Sequence, residues 1–217
     1  MSFIPTMEQQ EEFFRGPLKR SEFDDPLEKA IADAKYEHAL ASFSNFLLRG
    51  EIDELQEKLY RDRLTNALNR QGLEDQYNNR QTPNGSMLFL DIDRFKAVND
   101  THGHPVGDKL LRGIVAILSS VRDEDPIARF GGDELVIMLD GAPEEVALER
   151  GRIICELIDG IQEVDSRGID ISTSVGIALF NDNTPFEELY RCGDQALYAA
   201  KQAGGNQVVT YSDLIAN

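Results

Sequence analysis

Hydrophobic positions along the chain follow three patterns in turn. Over the first 24 residues there is none. Phe3, Phe13, Phe14 and Phe23 are scattered among polar residues, so 1–25 reads as a flexible arm, partly helical around Met7–Arg15. A helical period sets in at Asp25-Pro26-Leu27-Glu28, where Asp suits an N-cap, Pro the first helical position, and Glu completes a box-like start. A stripe spaced four, three, four, three then runs through Leu27, Ile31, Ala34, His38, Ala41, Asn45, Leu48, Ile52, Leu55 and Leu59, which is a heptad seam. Gly50 interrupts it at a cost of roughly 1 kcal/mol, so the segment is one bent helix or two meeting near Arg49–Glu51. Leu40, Phe43 and Leu47 form a second apolar face. Two faces suggest a bundle or a helical hairpin more than a simple two-stranded coil, and the seam is read as pairing with a second copy rather than packing on its own domain. Residues 26–61 are therefore read as a helical dimerisation and signalling segment, and 62–217 as the main domain.

In that domain, short apolar runs alternate with amphipathic stretches. A turn over Asp62–Arg70 leads into a helix to Asn78, and Pro83-Asn84-Gly85 breaks the chain. Met87–Leu90 is a continuous apolar run, hence a buried strand, and it ends in Asp91-Ile92-Asp93. A short helix over Phe95–Asp100 and a break at Thr101–Pro105 precede an amphipathic helix, Val106–Val121. Ile127–Phe130 and Leu135–Leu139 flank Gly131-Gly132-Asp133-Glu134, a hairpin with the two glycines at its tip. Then come a helix over Pro143–Ile161, a strand over Ile169–Leu179, a helix from the capping box at Thr184–Glu187 to about Lys201, and a last strand over Gln207–Tyr211. The order β-α-α-β-β-α-β-α-β implies an α+β fold, with a central, mostly antiparallel, ferredoxin-like sheet and flanking helices.

Charge and composition narrow the function. With 41% hydrophobic and 28% charged residues the chain is globular. A net charge of −17 argues against nucleic-acid binding, though not against a nucleotide that arrives with a metal. No apolar run is long enough to span a bilayer, and the N-terminus lacks the features of a secretory signal. Cys155 and Cys192 read as reduced, buried thiols, and the protein as cytoplasmic. The informative feature is the acids. Asp133 and Glu134 follow the hairpin glycines directly, although acids are poor strand formers and adjacent carboxylates repel. A divalent cation would offset that cost; a solvated turn is the plain alternative. Asp91 and Asp93, fixed at the end of a buried strand, pose the same choice. His102 and His104 lack the further ligands of a zinc site.

Taken together, four ordered motifs resemble the GGDEF family of diguanylate cyclases over about residues 60–212. They are Asp62-x-Leu-Thr-x-Ala-Leu-Asn-Arg70, Asp91-Ile-Asp-x-Phe-Lys-x-Val-Asn-Asp-x-x-Gly-His-x-x-Gly-Asp108, Gly131-Gly-Asp-Glu-Leu135 and Asp194-x-Ala-Leu-Tyr-x-Ala-Lys201. The resemblance implies a nucleotidyl cyclase palm that joins two GTP into cyclic di-GMP as a homodimer, with one GTP per subunit. It implies Mg2+ (or Mn2+) held by Asp91, the Ile92 carbonyl, Asp133 and Glu134, with Asp133 and Glu134 catalytic. Phe95, Lys96, Gly131, Gly132 and Lys201 would bind substrate phosphates. Asn99 and Asp108 would read guanine, with His104 shaping that pocket. Arg122 and Asp125 match an inhibitory product site that Arg150 and Arg152 could complete. The chain departs from the family pattern at Leu135 for Phe, Asn66 for Gly, and Gly205 for an Arg that reaches the triphosphate. The last departure supports a different reading, a weak or inactive module that holds cyclic di-GMP or GTP as a receptor. A cyclase with a mixed nucleotide product is a third reading, against which Asp108 counts.

Overall fold

The computed structural model describes residues 25–121, 125–164 and 166–216. The expected arm lies outside them apart from Asp25. The chain divides into two units, Met1–Glu57 and Lys58–Asn217.

In the first unit the described residues form a single uninterrupted helix, α1 (Pro26–Tyr60, 35 residues), whose last turn belongs to the second unit. The Asp25 carboxylate accepts the Leu27 N–H at 2.8 Å, the cap expected from the sequence. Gly50 sits inside the helix without ending it. All ten seam positions are exposed, while Leu40, Phe43 and Leu47 are half-buried. Among the described residues no helix is long and apolar enough to cross a membrane.

The second unit is built on a five-stranded sheet. Its elements are α2 (Arg70–Asn78), β1 (Gly85–Asp93), α3 (Phe95–His102), α4 (His104–Val121), β2 (Ile127–Gly131), β3 (Glu134–Asp140), α5 (Glu144–Asp159), β4 (Glu163–Val164), β5 (Arg167–Gly168), β6 (Ser172–Phe180), α6 (Phe186–Gln202), β7 (Val208–Thr210) and α7 (Tyr211–Ile215). The strand order is β2-β3-β1-β6-β7, antiparallel throughout except for the β6–β7 pair. The α+β class and mostly antiparallel sheet are as expected.

The sheet is covered on both faces, so its central strand is apolar without alternation from Met87 to Leu90. From β1, Leu88, Leu90 and Ile92 join Leu110, Leu111 and Ile114 of α4 and Ile158 of α5. Met87 and Phe89 point the other way, to Leu73 and Tyr77 of α2 and Leu189 and Leu197 of α6. Helix α6 lies close to the sheet because two glycines let it. A Cβ on Gly176 would fall 2.2 Å from the Leu197 backbone nitrogen, and one on Gly193 would fall 2.0 Å from the Phe89 ring.

The local differences from the sequence reading have physical reasons. Pro105 does not break a helix but sits in the first turn of α4, where its missing N–H costs nothing. Residues 169–171 stay outside β6, and a two-stranded β4–β5 hairpin precedes them. The last strand stops at Thr210, whose hydroxyl accepts the Asp213 N–H and starts α7. Cys155 and Cys192 are both free; Cys155 is buried, but Cys192 is only half-buried.

Candidate active site

Register brings the acids together. Asp91, near the end of β1, lies directly opposite Glu134, the first residue of β3. Both therefore project from one face of the sheet, the face covered by α6. The hairpin turn that delivers Glu134 is one residue later than expected. Gly131 closes β2 and pairs with Glu134, so the two-residue turn is Gly132-Asp133, with Gly132 at φ +50. Like charges directly opposite on a sheet are destabilising. One cation meets them here: Lys201 Nζ lies 2.7 Å from Asp91 Oδ2. Burial raises the Asp91 pKa above its ordinary value; the Lys201 hydrogen bond pulls it back, while Asp133 and Glu134 push it up. Among the described residues no group of three His, Cys, Asp or Glu side chains is gathered as metal ligands. The donor chemistry nonetheless fits a hard divalent cation, because the Asp133 and Glu134 carboxylates oppose ionisation of Asp91, and Lys201 bonds only the last of these.

The turn is held by contacts the motifs alone do not reveal. Arg129 donates from Nε and Nη2 to the Gly132 carbonyl at 3.0 and 2.7 Å, and from Nη1 to both Asp62 oxygens at 3.0 and 3.1 Å. Burial opposes ionisation of Asp62, but hydrogen bonds from Thr65 and Arg129 outweigh it and hold the pKa below its usual value. Leu68 also joins the free edge of β2, donating to Ile127 O and accepting from Arg129 N at 2.9 and 2.7 Å. Asn66, where the family pattern has Gly, sits at φ +60, a conformation Asn tolerates. Asp93 is not available as a ligand in the way Asp91 is. Its oxygens accept from Ser172 Oγ, Ser174 Oγ and Asn206 N at 2.7, 2.8 and 3.0 Å, clamping the loop after α6 onto β1. Gly205 is part of that clamp. It sits at φ +75, and a Cβ there would lie 3.1–3.3 Å from the Asp93 carboxylate, which crowds any larger residue.

The residues expected to read a base form a second group. Asn99 on α3 has its side-chain oxygen buried without a hydrogen-bond partner, a costly arrangement unless a donor arrives. Gly107 on α4 makes room for it: a Cβ there would fall 2.0 Å from Asn99 Oδ1 and 3.3 Å from the Phe95 ring. Asp108 follows directly, half-buried, with exposed His104 one turn earlier on the same helix. Lys96 is exposed in the first turn of α3, whereas the Phe95 side chain is core, 8% exposed, leaving only its backbone at the surface. Ile92 is likewise core, as a role for its carbonyl alone requires. Gly107→Ala is expected to displace Asn99 and, on the expectation that Asn99 reads a base, to weaken nucleotide binding about tenfold or more, as measured by calorimetry. Its melting temperature should barely change, because Ala gains roughly 1 kcal/mol over Gly in a helix and that offsets the crowding.

Of the expected inhibitory pair, Arg122 lies outside the described residues. Asp125 is half-buried, 4.0 Å from Arg150 Nη1, at a cavity of about 490 Å3 that Arg61 and Arg112 also line. Arg152 instead pairs with Glu149 at 3.8 Å.

Residues 59–207 match the family model described as "Diguanylate cyclase, GGDEF domain". The chain is 37% identical over 172 residues to diguanylate cyclase DosC of Escherichia coli (strain K12), covering 75% of this chain and 37% of the relative. It is 34% identical over 178 residues to diguanylate cyclase DgcZ of the same organism, covering 79% of this chain and 60% of the relative. The chain thus spans less than two thirds of the length of these curated relatives. Among solved structures it resembles the coiled coil and GGDEF domain of DgcB from Caulobacter crescentus in complex with c-di-GMP. That match has a TM-score of 0.69 and 25% identity, and covers 86% of this chain and 100% of the other. It also resembles diguanylate cyclase SiaD in complex with its activator SiaC from Pseudomonas aeruginosa, with a TM-score of 0.70 and 25% identity, over 93% of this chain and 79% of SiaD.

Proposed function

This chain belongs to the diguanylate cyclase GGDEF-domain family, and from that premise we propose that it condenses two GTP into one cyclic di-GMP and two pyrophosphates. It acts as a homodimer in which each subunit holds one GTP. The observation that carries the reading is Asp91 facing Glu134 across the β1–β3 pair, with Asp133 in the adjoining turn, together with a buried Asn99 oxygen on α3 that awaits a donor. Asp91, Asp133 and the Ile92 carbonyl would hold a divalent ion, which when bound neutralises phosphate charge and lowers the pKa of the attacking hydroxyl. The chain's own residues do the rest. Asn99 Oδ1 and the Asp108 carboxylate accept from the guanine N1–H and exocyclic amine, a pattern adenine does not offer. Lys96 and Lys201 attract the triphosphate, and Gly131 and Gly132, without side chains, let it approach the backbone. Glu134 takes the proton as the 3′-oxygen of one GTP bonds to the α-phosphorus of the other and pyrophosphate leaves. Most of the acceleration is positioning and electrostatics. Product binding at Arg122 and Asp125, with Arg150, restrains the dimer.

The test is incubation with GTP and magnesium or manganese, with products identified by chromatography and mass spectrometry. Cyclic di-GMP and pyrophosphate in a ratio of one to two are expected. No product at high protein concentration, with retained binding of GTP or cyclic di-GMP, would replace the cyclase by the receptor reading that Gly205 suggests.

A further inference from the structure

One cluster outside the acids and the base pocket joins β1, the strand of Asp91, to β2, the strand that leads into the acidic turn. Tyr190, on the second turn of α6, meets the Phe89 ring edge-on, with centroids 5.7 Å apart and planes at 74°. It stacks on Phe130, with centroids also 5.7 Å apart and planes at 15°. Phe89 stands two residues before Asp91 on β1. Phe130 is the last side chain on β2 before the two glycines, and a Cβ on either glycine would meet nothing within 4 Å. The tip therefore cannot pack through its own glycines. The rings just behind it and the Arg129 bonds to Gly132 O must hold it.

Arg70 closes the stack from outside. Its Cζ lies 4.6 Å from the Tyr190 centroid and 5.7 Å from that of Phe130, and its Nη2 donates to both oxygens of Glu187 at 3.0 and 3.1 Å. Aromatic pairs prefer these offset and edge-on geometries, and a guanidinium over the rings adds attraction. Burial, then the Glu134 and Asp194 carboxylates, holds the Tyr190 phenol above its ordinary pKa, with Arg70 opposing. The ring thus stays neutral and adds no charge to the acids.

The geometry points to Tyr190 as a positioning residue for the condensation: its ring sets the spacing between Asp91 on β1 and the Gly132–Glu134 tip, and Arg70 keeps the ring seated. This rests on the cyclase reading above. A single ring braces β1, which carries Asp91, and β2, which leads into the turn that delivers Asp133 and Glu134, so its loss misplaces the tip without removing any group that touches substrate.

The experiment uses the full chain with Tyr190→Leu, Tyr190→Phe and Arg70→Ala. Tyr190→Leu should lower kcat about tenfold or more while KM for GTP stays within about twofold, and Tyr190→Phe should behave as the parent. Without nucleotide, hydrogen exchange of the peptide spanning 127–139 should quicken in Tyr190→Leu, while peptides from β6 stay unchanged. Parental kcat and exchange in Tyr190→Leu would overturn the proposal, as would equal losses in the Phe and Leu variants, which would assign the effect to the hydroxyl. Should Tyr190→Leu not fold, Arg70→Ala carries the test, with faster exchange of the tip and a smaller fall in kcat expected and parental values overturning it. If the parent makes no product, the cyclase reading fails by itself, and the exchange experiment still decides whether Tyr190 seats the tip.

Discussion

Glu134→Gln is expected to lower the rate of cyclic di-GMP formation by about a thousandfold or more, in a protein that remains folded and still binds GTP. Glu134 is exposed at the first position of β3. Replacing it with an amide of the same shape removes a negative charge facing Asp91 across the sheet. Like charges there cost stability, so the melting temperature should hold or rise by about 2 °C. Binding should survive because Asn99 and Asp108, the residues proposed to accept from the base, lie on α3 and α4 rather than on the hairpin. The chemistry should not survive. A positioned base that takes the proton of the attacking hydroxyl contributes a factor of about a hundred to ten thousand, and about 4 kcal/mol is a thousandfold in rate. The check is product formation by chromatography at saturating GTP, beside a melting curve and a binding isotherm. Parental turnover in the Gln variant would remove Glu134 from the reaction. Lost binding together with lost turnover would mean that it holds substrate rather than serving the chemical step.

Much of this site could be read from residue order alone. The strand ending in Asp91 announces itself as an unbroken apolar run, because a strand buried on both faces needs no polar positions. The hairpin announces itself through two glycines between apolar stretches. That Asp91 faces Glu134 follows once those two strands pair, and the carboxylate group needs nothing further. Even Asn66 was readable, since a turn that needs positive φ takes Asn nearly as well as Gly.

What escaped depends on contacts between residues far apart in the chain. Asp93 looks the equal of Asp91 in sequence, yet its oxygens are occupied by Ser172, Ser174 and Asn206, 79 to 113 residues later. No local pattern tells a carboxylate clamped by three donors from one that meets a lysine. Lys201 falls beside Asp91 only because α6 crosses the sheet closely, over Gly176 and Gly193. Arg129 sits in a short apolar-rich run and Tyr190 among charged residues of an amphipathic helix, and neither position shows from sequence that it meets the hairpin. Pro105 was read as a break because its effect inside a helix and in a first turn are opposite, and only the helix start, at His104, decides between them.

The second large effect belongs to α1. Leu48→Glu combined with Leu55→Glu is expected to cut the activity per subunit about a hundredfold or more at low protein concentration, and raising the concentration should restore much of it. The two leucines are 54% and 58% exposed, so each acid is already solvated in a single chain and the helix itself should tolerate both. Their neighbours on the seam, Ile52 and Leu59, are 52% and 56% exposed. A heptad row of large apolar residues left in water is what a second copy would cover. Two acids facing their counterparts in that copy replace burial with repulsion. If each subunit holds one GTP and the two must react together, tethering through α1 sets the effective concentration of one half-site for the other, a factor of roughly a hundred or more. The measurement pairs light scattering for mass with initial rates across a dilution series. The parent should show a rate proportional to protein concentration. The variant should show a monomeric mass and a rate that climbs with the square of concentration. A variant that melts early but keeps the proportional rate would mean that the seam packs within its own chain. Condensation would then need no pairing through α1, and the two half-sites would have to meet through the catalytic domains alone.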